Sequence, residues 1–183
     1  MIFKPLPLAG AWLIEPELVT DDRGFFARTW CQREFESHGL DPYVAQRSVS
    51  FNKKAGTLRG LHYQLPPHEE SKLVCCTRGA IFDVVVDLRP GSDTFAQHFG
   101  VELNPDNRLM LYIPKGFAHG FQTLQDDSEV SYAISAFYEP GSASGVRWDE
   151  PRFAIPWPLP VSVMSDRDAA LPLLGAARLF EPS

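Results

Sequence analysis

The alternation of apolar and polar positions predicts a chain built mainly from short β-strands. Candidate strands lie at residues 45–52, 56–64, 71–77, 80–88, 99–103, 109–113, 117–124 and 129–138. Turn sequences such as Asn104-Pro105-Asp106-Asn107 and Pro114-Lys115-Gly116 separate them. Regularly spaced short strands joined by such turns are typical of an all-β sandwich or barrel.

The first forty residues predict fewer and shorter elements. Residues 11–14 form an apolar run, and residues 21–24 read as a turn before a strand at residues 25–30. Residues 31–38 predict the clearest helix of the chain, and Gly39 is suited to its C-terminal end. The helical content is therefore expected to be small and peripheral.

Beyond residue 140 the pattern changes to a proline-rich segment. It contains Pro151, Pro156, Pro158 and Pro160, with Trp148, Phe153, Ile155 and Trp157 between them. Because these side chains supply apolar surface to bury, the segment is predicted to cover the core rather than to act as a linker. Residues 168–171 predict a helical turn, and residues 174–183 a frayed tail. The whole chain, residues 1–183, is predicted to be one domain.

The strand at residues 80–88 carries two acids on one face. Asp83 and Asp87 alternate in phase with Ile81 and Val85. One interpretation is a solvated sheet face, which antiparallel sheets commonly have. The other is a barrel whose partly polar interior holds a ligand.

The strand at residues 56–64 carries a cation and an imidazole, which are unusual strand residues. Strict alternation places Arg59 and His62 on opposite faces. The two side chains can serve one site only if the strand bends between them. Gly60 is where a bulge or sharp bend costs least.

Composition narrows the class of protein. The chain has 183 residues, is 44% hydrophobic and carries a net charge of -6, which argues against nucleic acid or anionic membrane as a partner. It leaves an anionic small molecule open, because a few arginines set the local field of a pocket. Three cysteines are a poor disulfide framework and predict a reducing, cytoplasmic location. The N-terminus lacks a signal-peptide pattern, and no run approaches transmembrane length.

Residues 114–119, Pro-Lys-Gly-Phe-Ala-His, have the spacing of the second cupin motif, PxGxxH. Metal-binding cupins usually show HxH in the first motif, whereas here the corresponding place reads His62-Tyr63-Gln64. His62, His119 and either Glu69 or Glu70 still leave open a two-histidine, one-carboxylate metal site. The missing histidine weakens that alternative, because ligand spacing is the strongest part of such a pattern.

Several further segments match the sequence motifs of one protein family, in the same order along the chain. They lie at residues 22–26, 56–64, 83–89, 111–121, 129–132 and 165–168. Together they resemble the dTDP-4-dehydrorhamnose 3,5-epimerases of the cupin superfamily over most of the chain. The resemblance implies an all-β, cupin-type jelly-roll barrel with short peripheral helices. It also implies a homodimer with exchanged N-terminal strands, no metal or other cofactor, and a small-molecule nucleotide-sugar substrate.

The resemblance assigns four catalytic residues. A C4 ketone acidifies the protons at C3 and C5 of the sugar, and inversion needs a base on one face and an acid on the other. His62 is expected to be the base, with Asp168 fixing its tautomer. Tyr132 is expected to be the opposing acid, and Lys72 to stabilise the charge that develops on the C4 oxygen.

The resemblance also assigns the substrate-binding residues. Arg59 is expected to bind the diphosphate, and Tyr138 to stack on the nucleobase. Arg23 is expected to reach the diphosphate from the partner subunit. The complete predicted binding set is Arg23, Phe26, Gln46, Ser48, Arg59, His119 and Tyr138.

Each of these residues also has a purely structural interpretation. Lys72 reads equally as a solvated lysine beside two glutamates, and Tyr132 as a core aromatic. Asp168 reads as a helix N-cap before Ala169, and His119 as a core histidine between phenylalanines. Finding them together in family order favours the functional interpretation.

Two positions depart from the family pattern. Arg28 stands where the common form has glutamate, and Ser48 where it has asparagine. These positions belong to the nucleotide-and-sugar side of the expected pocket rather than to the proton-transfer set. They leave open a single-carbon epimerase or another nucleotide-sugar. A non-catalytic binding module on the same fold is a third possibility.

Overall fold

The computed structural model describes residues 1–180. In chain order its elements are β1 Ile2–Pro5, β2 Trp12–Glu15, β3 Leu18–Asp21, β4 Gly24–Ala27, α1 Gln32–Ser37, β5 Gln46–Asn52, β6 Leu58–Gln64, β7 Lys72–Arg78, β8 Ile81–Asp87, β9 His98–Leu103, β10 Met110–Ile113, β11 Phe117–Thr123, β12 Ser128–Ile134, β13 Ala143–Gly145, α2 Asp166–Ala169 and a 3-10 turn Leu174–Ala176. The predicted strands from residue 45 onward are confirmed, with shifts of a few residues at their ends. The strand expected at residues 129–138 ends at Ile134, and the one expected at residues 25–30 ends at Ala27.

Two antiparallel sheets form the body of the molecule. One sheet has six strands in the order β1-β2-β10-β7-β12-β5, and the other has five in the order β13-β6-β11-β8-β9. Their facing side chains share one apolar core, in which Val74 and Val130 of the first sheet pack with Val85 and Phe121 of the second. This arrangement is a jelly roll, and the all-β prediction is confirmed.

Separate elements cover the outer faces of the two sheets. Helix α1 places Phe35 against Ile14 and Tyr112 on the six-stranded sheet. The helix ends where predicted, because Gly39 adopts a left-handed φ of +71° that favours glycine. The proline-rich segment packs Phe153 and neighbouring residues against the outer face of the five-stranded sheet, as predicted for a covering segment.

The predicted frayed tail is wrong over residues 174–180. Leu174 and Phe180 are buried in the cluster on the five-stranded sheet. The Tyr63 hydroxyl donates a hydrogen bond of 2.6 Å to the Arg178 carbonyl. Burial of these apolar side chains offsets the entropy that would otherwise leave the terminus loose. Residues 181–183 lie outside the described part of the chain.

The acids of β8 point inward rather than into solvent. Asp83 and Asp87 are both 0% exposed, which supports the partly polar interior over the solvated face. Burial acts to raise the pKa of Asp87, but hydrogen bonds from Arg89, Ser92 and Thr94 outweigh it and lower that pKa to about 2. The hydrogen bonds of the Asp87 carboxylate therefore hold the loop after β8 against the end of that strand.

The β3–β4 hairpin forms a separate two-stranded sheet, and its Phe25 ring lies 4.5 Å from the Arg108 guanidinium. Several apolar side chains of the hairpin are exposed, among them Val19 at 68% and Phe26 at 74%. The outer edge strand β5 likewise exposes Val49 and Phe51. No helix within residues 1–180 has the length and apolar character needed to span a bilayer.

Candidate active site

A cavity of about 430 Å³ lies between the two sheets and gathers most of the predicted site residues. Strands β6 and β11 of the five-stranded sheet line it together with β5, β7 and β12 of the six-stranded sheet and the region of α2. The predicted residues that it brings together are Gln46, Ser48, Arg59, His62, Lys72, His119, Tyr132, Tyr138 and Asp168.

A bulge in β6 turns Arg59 and His62 toward the same cavity. Arg59 pairs with Phe121 and His62 with His119, so two residues of β6 lie opposite a single residue of β11. Gly60 adopts a φ of +119°, and a Cβ there would lie 2.6 Å from the Gly120 Cα. Only glycine fits this close crossing of strands, and the predicted bend at Gly60 is confirmed.

His62 forms a dyad with Asp168. Its Nε2 lies 2.8 Å from Asp168 Oδ1, so Nδ1 is the ring nitrogen that is not engaged by the carboxylate. Asp168 is 4% exposed and also accepts a hydrogen bond from the Gly60 backbone N–H. Burial acts to raise the pKa of Asp168, but the hydrogen bond and charge of His62, with the Gly60 N–H and Ser165, hold it below its usual value.

The interpretation of Asp168 as a helix N-cap is wrong. The N-cap of α2 is Ser165, whose Oγ accepts a hydrogen bond of 3.1 Å from the Asp168 backbone N–H. Asp168 lies inside the short helix, and its side chain is free to face His62. Ser165 thus orients the backbone that carries the dyad carboxylate.

Tyr132 faces His62 from the six-stranded sheet, and it contacts His119, the cross-strand neighbour of His62 on β11. The ring centroids of Tyr132 and His119 are 6.2 Å apart at an interplanar angle of 75°. Burial raises the pKa of the Tyr132 phenol, and the nearby Asp83 carboxylate raises it further. Tyr132 therefore keeps its proton at neutral pH, as a proton donor must.

His119 is held by a buried carboxylate of its own. Its Nε2 lies 2.7 Å from Asp83 Oδ1, and both side chains are almost fully buried. Among the described residues, Asp83 Oδ2 has no hydrogen-bond partner. His119 therefore combines a structural contact inside the barrel with a place in the cavity wall.

Lys72 is not a solvated lysine. Its Nζ lies 2.9 Å from Glu70 Oε1, and the two side chains are only 11% and 12% exposed. Both residues line the cavity with His62 and Tyr132. An ammonium held in such surroundings is suited to stabilising an anion that forms there.

The remaining predicted binding residues lie toward the cavity mouth. Arg59 donates from Nε to Asn52 Oδ1 at 2.7 Å and remains exposed. Tyr138 is 54% exposed, and its backbone N–H donates to Gln46 Oε1 at 3.3 Å. A permanent cation and an open aromatic face near one opening fit a charged, ring-containing ligand.

Arg23 and Phe26 lie outside this cavity, on the β3–β4 hairpin of the same chain. The Arg23 side chain is 89% exposed and pairs with Asp21. Arg28, which departs from the family pattern, pairs with Glu34 at 2.8 Å near the same hairpin. Within one chain, these residues do not reach the residues that surround His62.

Sequence reasoning missed Gln64 and Arg167 as cavity residues, and it named Glu70 only as an alternative metal ligand. Gln64 was visible as the residue that replaces the second motif histidine, and Glu70 only as one of two adjacent acids. Arg167 directly precedes Asp168 in the family segment at residues 165–168, and this position could have been used to predict that it lies near the cavity. Asp83 was singled out by its alternation, but its pairing with His119 needed the register of β8 and β11.

The side chains of the alternative metal site have other partners. His62 pairs with Asp168, His119 with Asp83, and Glu70 with Lys72. Within residues 1–180, no group of three or more His, Cys, Asp or Glu side chains is placed to hold a metal ion. The two-histidine, one-carboxylate arrangement is therefore not formed by these residues.

Comparisons with known proteins agree on one family. The family model for dTDP-4-dehydrorhamnose 3,5-epimerase matches residues 5–176. A protein of that name from Sinorhizobium fredii is 41% identical over 175 residues, covering 95% of this chain and 90% of the relative.

Solved structures show the same likeness. The Bacillus anthracis dTDP-4-dehydrorhamnose 3,5-epimerase with TDP and PPi bound superimposes with a TM-score of 0.91 at 43% identity, covering 94% of this chain and 99% of that one. The Legionella pneumophila dTDP-6-deoxy-D-glucose-3,5-epimerase in complex with dTDP-4-keto-L-rhamnose has a TM-score of 0.89 at 37% identity, covering 96% and 93%. These likenesses confirm the cupin-type jelly roll. The chain belongs to the dTDP-4-dehydrorhamnose 3,5-epimerase family and is an isomerase.

Proposed function

We propose that the protein inverts C3 and C5 of dTDP-4-dehydro-6-deoxy-D-glucose to give dTDP-4-dehydro-L-rhamnose. The observation that carries the proposal is that an imidazole and a phenol lie on opposing sheets around one cavity. The dyad histidine, His62, is on β6 of the five-stranded sheet, and Tyr132 is on β12 of the six-stranded sheet. A sugar ring between them presents one face to each group.

The first half of each inversion is enolate formation. His62 Nδ1 takes the proton from carbon, the C–H electron pair forms the carbon–carbon double bond, and the C4 oxygen gains the negative charge. Asp168 stabilises the imidazolium that results. The Lys72 ammonium stabilises the oxygen where charge develops, which lowers the barrier rather than the ground state.

The second half is reprotonation on the other face. The Tyr132 phenol gives its proton to the carbon, and the enolate electron pair becomes the new C–H bond. The phenolate then recovers a proton from solvent, and His62 releases one. Because the pKa of Tyr132 is raised by burial, the phenol is in the protonated form at the start of each cycle.

Binding is assigned to the residues near the cavity mouth. Arg59 takes the diphosphate and Tyr138 stacks on the nucleobase. Gln46, Ser48 and His119 supply further polar contacts along the wall. The thymidine diphosphate seen in the Bacillus anthracis relative supports this choice of nucleotide.

The proposal includes a homodimer in which each cavity receives Arg23 and Phe26 from the partner subunit. Its support is the exposed apolar side chains of the β3–β4 hairpin, among them Val19 and Phe26, and a groove of about 640 Å³ that the hairpin lines together with the outer face of the six-stranded sheet. Isologous dimers are the commonest soluble assembly. Light scattering that gives the mass of a monomer with full activity would remove this part of the proposal.

We also propose a reducing location such as the cytoplasm. Its support is the state of Cys31, Cys75 and Cys76, which are all free thiols in the structure. Oxidising compartments favour paired cysteines. Fractionation of the producing cells would test the location.

The decisive experiment is incubation with dTDP-4-dehydro-6-deoxy-D-glucose in heavy water, followed by mass spectrometry and NMR. We expect deuterium at C3 and at C5, with inversion at both. Deuterium at one carbon only would favour the second candidate, a single-carbon epimerase, which the departures at Arg28 and Ser48 make worth testing. Measured binding with no exchange would favour a non-catalytic module.

Elemental analysis separates the proposal from a metal-dependent cupin enzyme. We expect activity to survive chelation and dialysis. Stoichiometric iron, manganese or zinc in the purified protein, with activity lost when it is removed, would overturn the cofactor-free mechanism.

A further inference from the structure

The cavity contains a carboxylate, Glu70, that the mechanism above does not use. We propose that Glu70 is a positioning residue that holds the Lys72 ammonium at the point where the C4 oxygen of the substrate becomes an anion. The inference rests on the proposed function, because it takes the Lys72 role from there.

The contact itself is close and largely removed from water. Lys72 Nζ lies 2.9 Å from Glu70 Oε1, and each side chain is about nine-tenths buried. A buried ammonium without a partner is costly, and a carboxylate in contact offsets much of that cost. An ammonium has three N–H donors, so one bond to Glu70 leaves others for a ligand.

The second oxygen of Glu70 is fixed independently. Gln64 Nε2 lies 3.1 Å from Glu70 Oε2, and its two N–H donors are shared between this oxygen and the backbone carbonyls of His68 and Phe137. Gln64 Oε1 in turn accepts from the Glu139 N–H at 2.7 Å. Gln64 is 3% exposed, so a buried and hydrogen-bonded amide holds the Glu70 carboxylate in place.

The backbone between the two charged residues is fixed as well. The Ser71 N–H donates to Ser135 Oγ at 2.8 Å, and the Ser135 N–H donates to the Ser71 carbonyl at 3.0 Å. Ser71 is 4% exposed. Lys72 begins β7, so its main chain is also held by β10 and β12. Hydrogen bonds therefore fix both the Glu70 carboxylate and the backbone of Lys72.

This geometry predicts a specific kinetic effect. A flexible lysine would have to be ordered as the enolate forms, whereas a pre-positioned ammonium needs no reorganisation at that moment. An interaction made with the developing charge acts on kcat more than on KM. Glu70 should therefore matter for proton removal at both carbons and little for nucleotide binding.

The test compares Glu70→Gln with Glu69→Gln, the neighbouring carboxylate, which is not among the described residues that line the cavity. In the heavy-water assay, we expect Glu70→Gln to lower the rate of deuterium exchange at C3 and C5 about tenfold, less than the ~100-fold or more of a lost oxyanion donor. KM should stay within about threefold. Exchange and inversion should fall together, because both depend on the enolate. Glu69→Gln should match the wild type.

A double-mutant cycle with Lys72→Met shows whether Glu70 acts through Lys72. We expect Glu70→Gln to add less than about a twofold loss in the Lys72→Met background. Multiplicative losses, or a Glu70→Gln variant that exchanges within twofold of the wild type, would overturn the inference. If Glu70→Gln does not fold, Glu70→Asp takes its place in the cycle, with an intermediate loss expected and the same criterion. A wild type with no exchange would overturn the proposed function and this inference together, so the two failures are distinguishable.

Discussion

At the scale of single residues, the proposed base and the proposed acid differ in how the structure holds each side chain. His62 is fixed by the Asp168 carboxylate, whereas Tyr132 packs against the apolar core and lies near the charge of Asp83. A variant that lacks the His62 imidazole and a variant that lacks the Tyr132 hydroxyl should therefore lose activity in different ways.

The first prediction separates these two failures. His62→Ala should lose deuterium exchange at both C3 and C5, because no base remains. Tyr132→Phe should retain some exchange, because His62 can remove a proton and return one from solvent to the same face. Inversion should fall at least tenfold further than exchange in Tyr132→Phe. Exchange at the wild-type rate in His62→Ala would show that another group is the base.

The second prediction concerns the dyad carboxylate. Asp168→Asn removes the charge that stabilises the His62 imidazolium and should lower kcat by about 10²–10⁴. Asp166→Asn, an exposed carboxylate of the same short helix, is the matched control and should behave as the wild type. Equal rates in the two variants would remove Asp168 from the mechanism.

At the scale of secondary-structure elements, the bulge in β6 is required for the site, and the third prediction tests it. Gly60→Ala should lower the free energy of unfolding by at least ~3 kcal/mol, because its φ is positive and a Cβ would meet the β11 backbone at 2.6 Å. Gly39 also has a positive φ, but a Cβ there meets nothing within 4 Å. Gly39→Ala should cost only about 1 kcal/mol. Urea denaturation of both variants measures the difference.

The fourth prediction concerns the loop after β8, which Asp87 holds. The pKa of Asp87 in the folded protein, about 2, lies below the ordinary value of 3.8, so the ionised carboxylate stabilises the fold by about 2 kcal/mol at neutral pH. That stabilisation is complete above the unfolded pKa and is lost as the pH falls through the folded pKa. Asp87→Asn should therefore be less stable at pH 7 and approach the wild type between pH 4 and pH 2. The exposed Asp93→Asn, from the same loop, should show no such convergence.

The elements also show what a single sequence predicts well. Period-two alternation identified the strands, and glycine between Arg59 and His62 identified the bulge, because both depend on neighbours along the chain. The Glu70–Lys72 pair and the Asp83–His119 pair depend on a loop path and on strand register. No local pattern contains that information.

The tail illustrates the same limit. Residues 174–180 have too weak a local pattern to predict order, and their burial comes from an apolar face provided by distant strands. Long-range burial overrides a weak local preference.

At the scale of the whole molecule, the separation of Arg23 from the cavity leads to the fifth prediction. If each site takes His62 from one chain and Arg23 from the other, a heterodimer of His62→Ala and Arg23→Ala contains one intact site. Co-expression of the two inactive variants with different tags should restore about a quarter of wild-type activity, since half of the dimers are mixed and each has one good site of two.

A matched pair checks that result. His62→Ala and Asp168→Asn affect residues placed in the same chain, so their mixture should regain nothing. Activity restored equally in both mixtures, or in neither, would contradict a site shared between chains.

The covering segment has a further consequence for how the molecule is made. Asp168 lies on the same C-terminal stretch that packs over the five-stranded sheet, and it bonds to both Gly60 and His62. Translation therefore delivers His62, Lys72 and Tyr132 before it delivers Asp168, the proposed partner of the base. A nascent chain, or one clipped ahead of residue 165, lacks the carboxylate partner of His62. Under the proposed mechanism, turnover therefore reports that synthesis of the C-terminal stretch and its docking are both complete.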